Sequence, residues 1–341
     1  MKVKQSSHGR ILAFDFIKAF CAFGIICYHF AIHSRKLGWL VEVPNHTVGW
    51  GDIFVVIFFV VSGALLYLHH SEIPSIADFY KKRCVAIFPA FYLAYLSVVV
   101  LRKILSPQNF LFQRPLKYYA ITIVGMDGFL WTSTRPHNYY ILGEWFLGAI
   151  LLAYLLYPLL VWLLQKNEKI YILSVFGMFM LTYNWEMLAQ SPLRNIFSIC
   201  FSFSIGMMIA KHSLYQDKSL YILGAIVFAF FAGLPLKPHF VLSGQFGGIA
   251  LFFFLFAIGN KIQRIKYLRE AISWIGSVSY EMFLFQHIVI LYVLKAMMPA
   301  NNVFALGLLF ITTLLTIGVA SLLHLVIKMG KRHIVKNRIS N

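Results

Sequence analysis

The chain has 341 residues, 60% of them hydrophobic and only 12% charged, with a mean hydropathy of +0.75. That composition excludes a soluble globule and indicates a polytopic membrane protein. The formal charge of +18 would suit a nucleic-acid binder, but the basic residues sit in short connections between apolar runs. They therefore read as a topology signal, with the lipid bilayer and not nucleic acid as the partner.

The first apolar run, 11–32, is long enough to cross a bilayer, yet it carries Asp15, Lys18 and His29. A charge at the bilayer centre costs roughly 3 kcal/mol on insertion scales, so such groups face a protein interior and often mark function. Asp15 precedes Lys18 by three residues, at ion-pairing spacing. Lys18 and His29 project from nearly the same face of a helix, roughly 16 Å apart along its axis. The basic start (Lys2, Lys4, Arg10) resembles a signal peptide, but the internal charges and the lack of a small-residue cleavage site favour a permanent helix.

Nine further spans are expected, at 51–70, 84–101, 139–164, 170–187, 193–211, 219–236, 239–259, 272–294 and 303–327. Together they predict an all-α, polytopic bundle of about ten transmembrane helices, forming one domain over 1–341. Pro235 and Pro238 divide 219–259 into two spans. Residues 117–131 are apolar but short and contain Asp127, so they read as an interfacial or re-entrant segment. With both termini cytoplasmic, nineteen lysines and arginines fall on the inner side and ten on the outer, with Lys18 inside a span. This bias supports that orientation, in a cell (plasma or inner) membrane. Lys18 is then toward the cytoplasm and His29 near the outer face. No internal repeat is visible, which argues against a transporter of two matched halves. The four cysteines (Cys21, Cys27, Cys84, Cys200) read as buried apolar side chains without a disulfide.

Five stretches carry a resemblance, in order along the chain. They are Asp15-Phe-Ile-Lys18 and then, after ten intervening residues, His29; Phe58-Phe59-Val-Val-Ser62-Gly63; Phe79-Tyr80-Lys81-Lys82-Arg83 followed by Pro89; Trp145 to Pro158; and Ser279-Tyr280-Glu281-Met282-Phe283-Leu284. This set resembles the acyltransferase-3 family of integral membrane proteins, over roughly residues 10–290. The resemblance implies transfer of an acyl group, usually acetyl, from cytoplasmic acyl-CoA to a hydroxyl. Acetyl-CoA would be a co-substrate, not a bound cofactor. The acceptor would be a surface glycan or glycolipid, as in polysaccharide O-acetylation. Three positions depart from the family pattern. Ala86 stands where a second arginine is usual, Ile150 where many members have Glu, and Gln286 where a late His is common, with His287 next to it.

O-acylation needs a base for the hydroxyl proton and a place for the thioester. His29 suits the base, since an unperturbed imidazole titrates near 6.5. It also suits a transient acyl-imidazole carrier, or simply a histidine at the membrane interface. Lys18 reads either as a charge for the CoA end of the donor or as the structural partner of Asp15. Arg83 suits CoA phosphates, or anchors a span beside Lys81 and Lys82 at the inner leaflet. Asp52 reads as a carboxylate orienting His29, or as a helix N-cap. Glu144 sits behind an outer cluster (Arg135, His137, Tyr139, Tyr140) suited to a sugar, and Glu281 and His287 are candidates for a second polar layer. Ser62-Gly63 reads as a close-packing site, and His324 as structural. No HExxH or cysteine cluster is present, so no metal is expected. The competing function is an exporter or carrier of a polysaccharide or lipid-linked sugar.

Overall fold

The computed structural model describes residues 10–44, 46, 48–105, 119–130, 142, 145–183, 193–233, 240–262 and 264–339. It is all-α. In chain order the helices are α1 (Leu12–Ser34), α2 (Trp50–His70), α3 (Ile76–Leu105), α4 (Tyr119–Ile123), α5 (Asp127–Leu130), α6 (Trp145–Lys166) and α7 (Glu168–Tyr183), then α8 (Ile196–Lys211), α9 (Lys218–Gly233), α10 (Phe240–Ile262), α11 (Lys266–Ser277), α12 (Ser279–Ala296) and α13 (Asn302–Ile339).

A helix coincides with each expected span, but they are not equal. Six (α1, α2, α3, α6, α10 and α13) are long and apolar enough to cross a membrane, and a seventh results if α11 and α12 count as one. The expected span 272–294 is broken. α11 and α12 meet at Val278 with a bend of 69°. α3 is longer than its expected span, beginning at Ile76, so Arg83 lies inside the helix. α8 and α9 are shorter apolar helices. The described part of 117–131 forms only α4 and α5, which turn on Gly125 with φ of 72°. Neither is long enough to cross a bilayer. Pro235 and Pro238 lie outside the described residues, though α9 and α10, on either side, pack against each other.

α1 is the central element. It packs on α2, α10, α11, α12 and α13. One face (Phe14, Ile17, Cys21, Ile25) joins the main apolar core, while Ala22, Ile26 and Phe30 join a second core with Ile290, Leu294, Leu308 and Leu309. Burial on both faces is what tolerates polar groups on this helix: they meet other helices, not lipid.

Close approaches are made by glycine. A methyl group on Gly63 would overlap the Phe203 carbonyl, and one on Gly206 would overlap the Val60 carbonyl, so α2 and α8 lie backbone to backbone. This is the small-residue packing of membrane helices, and the place Ser62-Gly63 takes in the fold. Gly276 likewise seats α11 on the backbone of Asp15, where an added Cβ would lie 2.6 Å from the Asp15 carbonyl oxygen. Cys21, Cys27 and Cys200 are buried and all four cysteines are free thiols, but Cys84 is exposed. The expectation of burial fails at Cys84 because α3 is apolar around its circumference and turns that side outward.

Candidate functional site on α1 and α12

At the N-terminal end of α1, the Asp15 carboxylate is 4% exposed and bridges two cations. Lys18 Nζ lies 2.8 Å from Oδ1 and Arg10 Nε 2.5 Å from Oδ2. Arg10 also donates to the Ser273 carbonyl of α11 at 2.7 Å, tying the start of α1 to that helix. The spacing of Asp15 and Lys18 anticipated the first pair; Arg10 was read only as part of the basic start.

Arg83 faces the interior. Its guanidinium donates to His70 Nε2 at 3.0 Å and lies over the rings of Phe79 and Tyr154, 5.8 and 6.0 Å from their centroids. Its Nε is buried with no hydrogen-bond partner. Buried donors of charged groups are usually satisfied, so this one is a donor left unmet. One and two turns on, Ala86 and Ala90 line a cavity of about 830 Å³. The other walls are Tyr280 and Glu281 of α12 and His324, Lys328 and Lys331 of α13. Glu281 is 6% exposed and its Oε1 lies 2.8 Å from His324 Nδ1. His324, read as structural, is thus the partner of Glu281.

At the other end of α1, His29 stands beside His287 of α12, ring centroids 4.0 Å apart. His33, one turn beyond His29, lies 5.7 Å from His287 on the same measure. Tyr28 packs edge-on to His29 at 5.1 Å. One ring nitrogen from each of His29, His33 and His287 can be chosen so that all three lie within 4.8 Å of one another. His33 escaped the sequence reading, although its i,i+4 spacing from His29 places both on one helix face.

Asp52 sits in the first turn of α2, where Gly49, not Asp52, is the N-cap. The carboxylate reaches back to accept from the Gly49 N–H. That is the third-position half of a capping box. Its ion-pair partner is Arg194, at 3.6 Å, whose guanidinium lies over Trp145. Arg194 was counted in the sequence only as an outer charge. Glu144 and the Arg135–Tyr140 cluster lie outside the described residues.

The two polar levels are carried by the same two helices. α1 holds Asp15 and Lys18 at one end and His29 and His33 at the other. α12 holds Glu281 and, about 9 Å further by helical rise, His287.

A family model described as an acyltransferase domain matches residues 11–324. The chain belongs to the acyltransferase-3 family. No curated protein and no solved structure matches the chain. The match runs from the start of α1 to His324, and so includes both polar levels. Membership makes the chain a multi-pass membrane acyltransferase.

Proposed function

We propose that this acyltransferase moves an acetyl group from cytoplasmic acetyl-CoA to a hydroxyl of a glycan or glycolipid on the outer side of the cell membrane. Both termini and Lys18 lie on the cytoplasmic side, as the distribution of basic residues favours. The observation that carries the reading is the pairing of levels. A basic cavity walled by α3, α12 and α13 opens beside Glu281 at the start of α12, and a cluster of imidazoles joins the C-terminal part of α1 to the middle of the same α12. The roughly 16 Å between Lys18 and His29 is comparable to the reach of a pantetheine arm. On this reading the donor's phosphates lie near Lys328 and Lys331, with Arg83 one turn before Ala86 on α3, and its thioester lies near His29.

His29 takes the proton of the acceptor hydroxyl. The oxygen attacks the thioester carbonyl, the C–O bond forms, the C–S bond breaks, and the CoA thiolate takes the proton from the imidazolium. A positioned base of this kind contributes about 10²–10⁴-fold. Asp52, paired with Arg194, acts from the α2 terminus by fixing the outer mouth next to Tyr28.

The test is the acetate released by mild base from isolated surface glycan, compared in wild type, a deletion strain and His29→Ala at equal protein level. Loss of the ester in both altered strains supports the reading. Full acetylation by His29→Ala overturns the assignment of the base. A fall in exported glycan, with no acetate in any strain, would replace the transferase with an exporter.

A further inference from the structure

We infer that His29, His33 and His287 form a three-nitrogen binding site for a divalent transition-metal ion of the zinc type. Imidazole is the ligand such ions favour among neutral side chains. Two of the three ligands come from one helix at i,i+4, so α1 holds them on one face without loop ordering. The third comes from α12, which packs directly on α1. The chosen nitrogens lie within 4.8 Å of one another. A tetrahedral zinc ion with nitrogens at about 2.0–2.1 Å places its ligands about 3.3 Å apart, so a side-chain adjustment of about 1.5 Å closes the set.

All three rings are half-buried, which leaves an approach for the ion and a fourth position for water or an oxygen ligand. The positive charge of Arg194 reaches His29, and its pairing with Asp52 at 3.6 Å offsets part of the repulsion it offers a cation. Four other histidines among the described residues are arranged differently. His69 and His70 are adjacent in sequence, and His212 and His324 are each paired with a glutamate.

Metal binding consumes the lone pair of His29 that would accept the hydroxyl proton. An ion here therefore opposes acyl transfer. This consequence, unlike the binding itself, rests on the function proposed above. The site makes the outer mouth of the enzyme a place where external zinc switches it off.

The experiment uses the full chain, purified in detergent and stripped with chelator. Zinc binding is measured by calorimetry, and cobalt binding by the visible absorption of a tetrahedral complex. Wild type is expected to bind one equivalent. His33→Gln and His287→Gln are each expected to weaken binding by more than about 100-fold, since even loss of a group supporting a metal ligand costs 10–100-fold. His212→Gln is expected to leave it unchanged. Absence of binding, or binding indifferent to His33→Gln and His287→Gln, overturns the site. If His287→Gln does not fold, His33→Gln carries the test, because His33 is half-buried at the end of α1. Binding by wild type without loss of acetyl transfer upholds the metal site and overturns His29 as the base instead.

Discussion

Lys18 has two roles open to it, and the geometry around Asp15 separates them by a double-mutant cycle. Asp15 is the buried member of the group: its side chain is 5% exposed, against 24% for Lys18 and 56% for Arg10. Removing one partner of a fully buried pair costs about 3–5 kcal/mol, because a charge is left without compensation. In Lys18→Met the carboxylate keeps Arg10, and in Asp15→Asn the two cations are exposed enough to be hydrated. Each single substitution is therefore expected to destabilise by less, about 1–3 kcal/mol. The double variant Asp15→Asn/Lys18→Met removes both charges and is expected to recover most of that loss. Stability is read as thermal unfolding of a fluorescent fusion in detergent, and donor use as the KM for acetyl-CoA. If Lys18 contacts the donor, the double variant regains stability but keeps a KM raised about tenfold or more, the equivalent of a lost charge-assisted hydrogen bond. If the double variant regains both, Lys18 serves only to neutralise Asp15, and its donor role is refuted. If neither single variant loses stability, the account of the triad as a buried ion group is refuted instead.

Two further outcomes test the frame that holds the site. Gly63→Ala drives a methyl group into the Phe203 carbonyl, a backbone atom that yields only if α2 and α8 separate. It is expected to cost about 1–3 kcal/mol in thermal unfolding, whereas Gly177→Ala, with open space around it, is expected to cost nothing. Glu168, just before the expected span 170–187, is held below the usual carboxylate range by hydrogen bonds from Lys211 and then His212. Its contribution is present above the unfolded value of about 4.3 and is lost as pH falls through the depressed folded value. Glu168→Gln is expected to flatten the acid limb of the unfolding profile below about pH 4.3 and leave wild type and variant parallel above about pH 6. An unchanged acid limb would refute the link between α7 and α8 at that residue.

What could be read from the sequence follows a physical division. In an apolar background, each polar residue stands out, and two polar residues on one helix declare their relation by spacing alone. Asp15 and Lys18 were legible for that reason, as was the common face of Lys18 and His29. His29 and His33 have the same kind of relation, hidden because His33 was assigned to the connection after the span, whereas α1 continues to Ser34. The apolar residues offer no such contrast. Hydrophobicity all round a helix does not distinguish a side facing lipid from one facing protein, which is why Cys84 was placed inside. Pairings between helices left no local trace: Asp52 with Arg194, Glu281 with His324, and His29 with His287 join distant segments. The bend at Val278 belongs to the same class, and next to it Gly276 is seated on the backbone of Asp15. That contact gives the break a consequence for chemistry. α11 rests on Asp15, Arg10 reaches the α11 carbonyl of Ser273, and α12 continues from the bend to His287. The cation-bearing end of α1 is thereby tied mechanically to the helix that carries the partner of His29. A substitution at Gly276 is therefore expected to act on both levels at once, raising the KM for acetyl-CoA and lowering acetyl transfer. A Gly276→Ala variant that changed neither would show that the two levels are independent.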